Sequence, residues 1–127
     1  MPLSFRHLTS TKQLTRADTD AILKSAAQME KVLEKGGNDM LKGKILASLF
    51  YEPSTRTRVS FEVAAKRLSA DVINIATETS SVKKGETLID TGRNIEALKA
   101  DIIVVRHNAS GAAAMLAQHV DISVVNA

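Results

Sequence analysis

The sequence predicts an α/β domain, a parallel sheet of about four strands with helices on both faces. Three observations predict it. Four short apolar segments, at residues 45 to 51, 71 to 76, 101 to 106 and 122 to 127, have the length of strands and no polar face. Segments of helical period separate them, so strand and helix alternate as in right-handed βαβ crossovers. The 127 residues suit one domain with a real core, and not two.

The elements follow in order. Thr15 with Asp18 three residues on reads as a helix start, Ile22, Ala26, Met29 and Leu33 recur on one face, and Gly36 and Gly37 end the helix. ILASLFY at 45 to 51 reads as a strand buried on both faces. From Ser54, the expected N-cap through its hydroxyl, the period becomes helical, with Phe61, Ala65 and Leu68 on one side. DVINIA is the second strand and residues 77 to 86 are a polar loop, longer than a turn needs. Leu88, Thr91, Ile95 and Leu98 mark the next helix, and DIIVVR is the third strand. A short helix capped by Ser110 and the strand ISVVNA complete the pattern. There is no internal repeat and no low-complexity segment.

Composition removes several functions. The net charge is +3, although the sequence pI is about 9.3. That excess is too small for a nucleic-acid footprint, and 3% aromatics with no tryptophan leave few surfaces for stacking bases. The absence of cysteine removes disulfides, thiolate metal sites and a cysteine nucleophile. No leader-like or membrane-spanning apolar run occurs, so the expectation is a cytoplasmic protein without membrane partners.

Ligands of open parallel sheets bind beyond the carboxyl ends of the strands. Those ends deliver Glu52 with the stretch Ser54 to Arg58, the 77 to 86 loop, Arg106 with His107, and Asn126. Pro-Ser-Thr-Arg-Thr at a helix start offers unpaired amides and the positive end of the helix dipole, a setting for phosphate. Ser54, Thr55 and Thr57 add hydroxyl donors, and the Arg56 guanidinium matches a phosphate with two parallel bonds. The nucleotide-binding pattern G-x-x-x-x-G-K-[ST] is missing, which points to a small anion. A capped helix with solvated arginines is the plain alternative for these residues. A surface ion pair for Arg106 and a solvated ring for His107 are the plain alternatives there. His7 and His119 have no metal-ligand spacing and read as structural or exposed.

FYEPSTRTRVSFE, SSVKKGETLIDT and VVRHN, in that order, resemble the aspartate and ornithine carbamoyltransferase family, and specifically its aspartate branch. S-T-R-T-R occurs in both branches, whereas K-K-G-E-T and R-H resemble the aspartate enzymes. The resemblance implies that Ser54, Thr55, Arg56 and Thr57 hold the phosphate of carbamoyl phosphate. It also implies that Arg106 reaches both the phosphate and the carbonyl oxygen, which makes Arg56, Thr57 and Arg106 the catalytic candidates. Ser80 and Lys84 match residues lent to a neighbouring subunit, which implies a homotrimer with shared sites, and Glu52 matches a glutamate of domain closure. The implied reaction, an early step of pyrimidine biosynthesis, moves the carbamoyl group to the amino group of L-aspartate without cofactor or metal. A larger assembly with regulatory or dihydroorotase chains is compatible with it. The family's next motif, H-P-T-Q, is not in the sequence, so residues 1 to 127 are expected to be the carbamoyl phosphate-binding half, without the aspartate-binding domain. The rival readings are a non-catalytic phosphate-binding or assembly module and an enzyme of the ornithine type.

Overall fold

The computed structural model describes residues 3–75 and 87–127. Four parallel strands, β1 (Ile45–Phe50), β2 (Asp71–Ile75), β3 (Ile102–Arg106) and β4 (Ser123–Asn126), form one sheet in the order β2-β1-β3-β4. The helices are α1 (Arg16–Glu34), α2 (Thr55–Arg67), α3 (Leu88–Ala97) and α4 (Ala112–Ala117). The expected strands and their parallel pairing are thus present.

Alternation along the strands divides the sheet's side chains between two faces. On one face Ala47, Leu49, Ile103, Val105 and Val124 pack with Ile95 of α3, Ala113 and Leu116 of α4, and Val120. This is the main core. On the other, Leu46 and Ile102 meet Phe61 and Ala65 of α2 and its C-cap Leu68 around a groove of about 470 Å³. The inner strands are covered on both sides, which explains their continuous apolar character. β2 is an edge strand and half open, with Ile73 exposed.

Helix starts follow the local chemistry. Thr15 caps α1 and Thr87 caps α3, each in a capping box with an aspartate three residues on. The Asp18 carboxylate also accepts from the amide and hydroxyl of Ser4, at 3.1 and 2.6 Å, so it clasps the amino-terminal segment to α1. The Ser4 hydroxyl first, and then backbone amides, hold Asp18 at about 2, well below the usual carboxylate range. At the other end of α1 the chain turns through Gly36 and Gly37 with positive φ, and a methyl group on Gly37 would overlap the Arg67 carbonyl.

Three expectations are corrected. The N-cap of α4 is Gly111, left-handed at φ 80°, and not Ser110, because the turn out of β3 needs the backbone that glycine supplies. Leu98 is the C-cap residue of α3 and lies 68% exposed, outside the packed face of Thr91 and Ile95. The stripe Ile22, Ala26, Met29 and Leu33 is present on α1, but Asp18 is the buried residue of that helix and Leu33 stays 49% exposed.

The sequence reading passed over the amino-terminal strap. Leu8 makes a parallel bridge with Val125, and a 3-10 turn at Thr11–Gln13, capped by Ser10, leads on to α1.

Candidate functional site

Chain direction locates the crevice. From β1 the chain leaves through α2 toward β2 on one side of the sheet; from β3 it leaves through α4 toward β4 on the other. Neighbouring strands whose connections diverge leave a gap at their carboxyl ends, and here that gap lies between β1 and β3. The register pairs Phe50 with Arg106, the last residues of the two strands, and the Tyr51 amide donates to the Arg106 carbonyl at 2.8 Å. Arg106 Nε lies 3.9 Å from Glu52 Oε2, with the two side chains 33% and 44% exposed. Such a half-solvated pair contributes little to stability, so the arginine is held near the crevice without being locked.

Three residues on from Glu52, α2 begins. Ser54 occupies its N-cap, but the expectation that its hydroxyl caps the helix is corrected: it donates to Thr57 Oγ1 at 3.0 Å. The Arg58 amide bonds the Ser54 carbonyl at 3.0 Å as the first turn of a helix requires, while the amides of Thr55, Arg56 and Thr57 have no partner among the described residues. A helix start of this kind presents unsatisfied donors together with the positive end of the macrodipole.

The two arginines of this turn differ. Arg58 pairs with Glu62 one turn on, at 3.7 Å, and Glu62 also takes Lys66 at 3.3 Å. The exposed Arg56 guanidinium has neither ion pair nor hydrogen bond among the described residues. Among the described residues, Arg56 is therefore the cation of this stretch without a partner, and the one suited to take an external anion.

His107 departs from its plain alternative. Its ring tilts against Tyr51 with centroids 4.8 Å apart, and its Nδ1 accepts the Ala109 amide at 2.9 Å, which assigns the proton of the neutral ring to Nε2. Sequence reasoning missed this contact, although Tyr51 and His107 directly follow the paired strand ends. Asn126 closes the edge by donating from Nδ2 to the Thr9 carbonyl at 3.1 Å. Ser80 and Lys84 lie outside the described residues. The 470 Å³ groove is apolar and opens at the amino ends of the strands, so it does not suit the anion expected here.

Residues 6–127 match the family model described as aspartate/ornithine carbamoyltransferase, carbamoyl-P binding domain. The chain belongs to this family. It is similar to the aspartate carbamoyltransferase catalytic subunit of Desulfotalea psychrophila, 51% identical over 98% of this chain and 40% of that one. The catalytic subunit from Geobacter sulfurreducens is 52% identical over 98% of this chain and 42% of its own length. Among solved structures, the catalytic subunit of M. jannaschii aspartate transcarbamoylase superposes with a TM-score of 0.90 at 47% identity, covering 97% of this chain and 42% of that one. The Trypanosoma cruzi aspartate transcarbamoylase in complex with carbamoyl phosphate superposes with a TM-score of 0.88 at 35% identity, covering 95% of this chain and 38% of that one. The chain thus spans about 40% of the length of the carbamoyltransferase relatives it matches. Among the described residues no helix is long and apolar enough to cross a membrane, and no cluster of His, Cys, Asp or Glu is arranged to hold a metal.

Proposed function

We propose that residues 1 to 127 are the carbamoyl phosphate-binding half of an aspartate carbamoyltransferase. The observation that carries the reading is the opening of α2: three amides and an Arg56 guanidinium that have no partner among the described residues, beside the gap between β1 and β3. In this reading the phosphate docks on those amides, with hydroxyls from Ser54, Thr55 and Thr57 and a two-pronged contact from Arg56. Arg106 exchanges Glu52 for the ligand and reaches both phosphate and carbonyl oxygen. The amino group of L-aspartate attacks the carbamoyl carbon, and the carbonyl oxygen takes up negative charge in a tetrahedral intermediate. The C–O bond to phosphate breaks as the new nitrogen gives up a proton to the departing phosphate, leaving N-carbamoyl-L-aspartate and hydrogen phosphate. These residues act by orientation and by stabilising developing charge; one preorganised donor of this kind typically contributes about 2.7 to 4 kcal/mol to lowering the barrier.

Calorimetric titration of the 127-residue chain with carbamoyl phosphate tests the binding reading. One site per chain that inorganic phosphate displaces is the expected result, and no heat at millimolar ligand overturns it.

The assembly we propose is a cytoplasmic homotrimer in which Ser80 and Lys84 enter a neighbour's site and Glu52 takes part in domain closure. The similar proteins are named catalytic subunits, which supports an assembly of more than one chain; the shared sites rest on the match of Ser80 and Lys84 to the family's loop motif. Mixing Lys84→Ala with Arg56→Ala subunits of the whole enzyme restores activity if sites are shared, since some sites then draw both intact residues. No recovery after exchange verified by native mass measurement counts against sharing.

A further inference from the structure

We propose that His7 is an acid-sensitive latch: its neutral imidazole fastens the amino-terminal strap to the outer edge of β4, and its protonation releases the strap while the rest of the sheet stays folded.

The strap adds a single rung to the sheet. The Leu8 amide donates to the Val124 carbonyl and the Leu8 carbonyl accepts from the Asn126 amide, both at 2.8 Å, as parallel pairing of Leu8 with Val125 requires. One step back along β4, the Val124 amide on the same edge would take the carbonyl of residue 6 if the ladder continued. It takes a side chain instead, donating to His7 Nδ1 at 3.1 Å. A backbone amide can only donate, so Nδ1 must carry a lone pair and the ring is the neutral Nε2–H form. A proton on Nδ1 sets donor against donor and leaves the amide of the fully buried Val124 without an acceptor.

The surroundings do not rescue the charged ring. Arg6, from the strap itself, donates through Nη1 to the Asp121 carbonyl at 3.2 Å and brings a like charge close by. Asp121, in the turn before β4, is the acidic group that acts on the ring among the described residues. The 3-10 turn contributes the neutral Gln13, whose Nε2 donates to the His7 carbonyl at 2.7 Å. Burial first, and then Arg6, keep the His7 ring below the usual histidine range, against an opposite pull from Asp121. A lowered folded value means that the latch is fully closed above the ordinary histidine range and weakens as pH falls through it. Its release also frees the Thr9 carbonyl that holds Asn126.

Amide hydrogen exchange of the full 127-residue chain between pH 5 and 8, corrected for intrinsic rates, tests the latch. Protection at Leu8, Val124 and Asn126 is expected to fall by about tenfold toward pH 5, in step with the His7 titration, while Val104 stays constant. His7→Asn, which keeps an acceptor oxygen but does not titrate, is expected to hold protection level across that range. Protection at the β4 edge that ignores pH, or that falls equally in His7→Asn, overturns the proposal. Should the variant fold poorly, nitrogen–proton correlation of the unaltered ring decides: a proton on Nε2 at pH 7.5 supports the latch, and a proton on Nδ1 removes it.

Discussion

Arg56→Ala is expected to lower the chain's affinity for carbamoyl phosphate by about a hundredfold or more and to leave its melting temperature where it was. Two charge-assisted bonds from one guanidinium contribute roughly 1.5 to 3 kcal/mol each, and every 1.4 kcal/mol is about tenfold in affinity. The stability side rests on the surroundings. Arg56 is exposed and its guanidinium engages nothing among the described residues, whereas Arg58, two residues on, is paired with Glu62. Arg58→Ala therefore serves as the control, since it removes the same charge from the same turn and should cost far less binding. Calorimetry of both variants beside thermal unfolding gives the comparison. Equal losses in the two would reduce the site to a diffuse positive field, and an unchanged affinity in Arg56→Ala would move the anion elsewhere.

The largest expected loss of stability belongs to Leu116→Ala, at about 2 to 5 kcal/mol by the usual cost of emptying a buried leucine site. Leu116 is completely buried in the core between α3, α4 and the sheet. Its Cδ1 fills the space beside Gly92, where any Cβ would overlap it. Gly92→Ala alone should therefore destabilise by overpacking. The double variant should be more stable than the sum of the two losses predicts, because the added methyl fills part of the vacated space. Urea unfolding of the four proteins measures this coupling, and strict additivity would mean that the two positions do not share a cavity. A domain of this size has only about 5 to 15 kcal/mol of net stability, so the single leucine change approaches the limit of what folds.

What could be read before the structure was whatever a short window encodes. Short apolar runs, the helical apolar period, the Thr15 cap with its aspartate and the glycines after α1 each act within a few residues of chain and appear as expected. The equivalent Thr87 and Asp90 box of α3 was open to the same reasoning and was missed. The opening of α2 was legible as a helix start rich in donors, and the structure adds that, among the described residues, Arg58 is paired and Arg56 is not. The pairing of Arg58 with Glu62 follows four-residue helical spacing and was open to prediction. Other features had no local signal. Ser54 could satisfy an amide or a neighbouring hydroxyl, and the observed bond to Thr57 depends on backbone angles at the strand end. Ser110 and Gly111 both suit a helix start, and the tight exit from β3 decided for the glycine. The tilted contact of His107 with Tyr51 joins residues that only sheet pairing makes adjacent.

The rung between Leu8 and Val125 also bears on how the polypeptide acquires its shape. Contacts between segments so distant in sequence form late, because a long loop must close before they return any energy. On the ribosome the leading residues have no docking strand until β4 has emerged, so that edge of the sheet is completed only after the other three strands have been made.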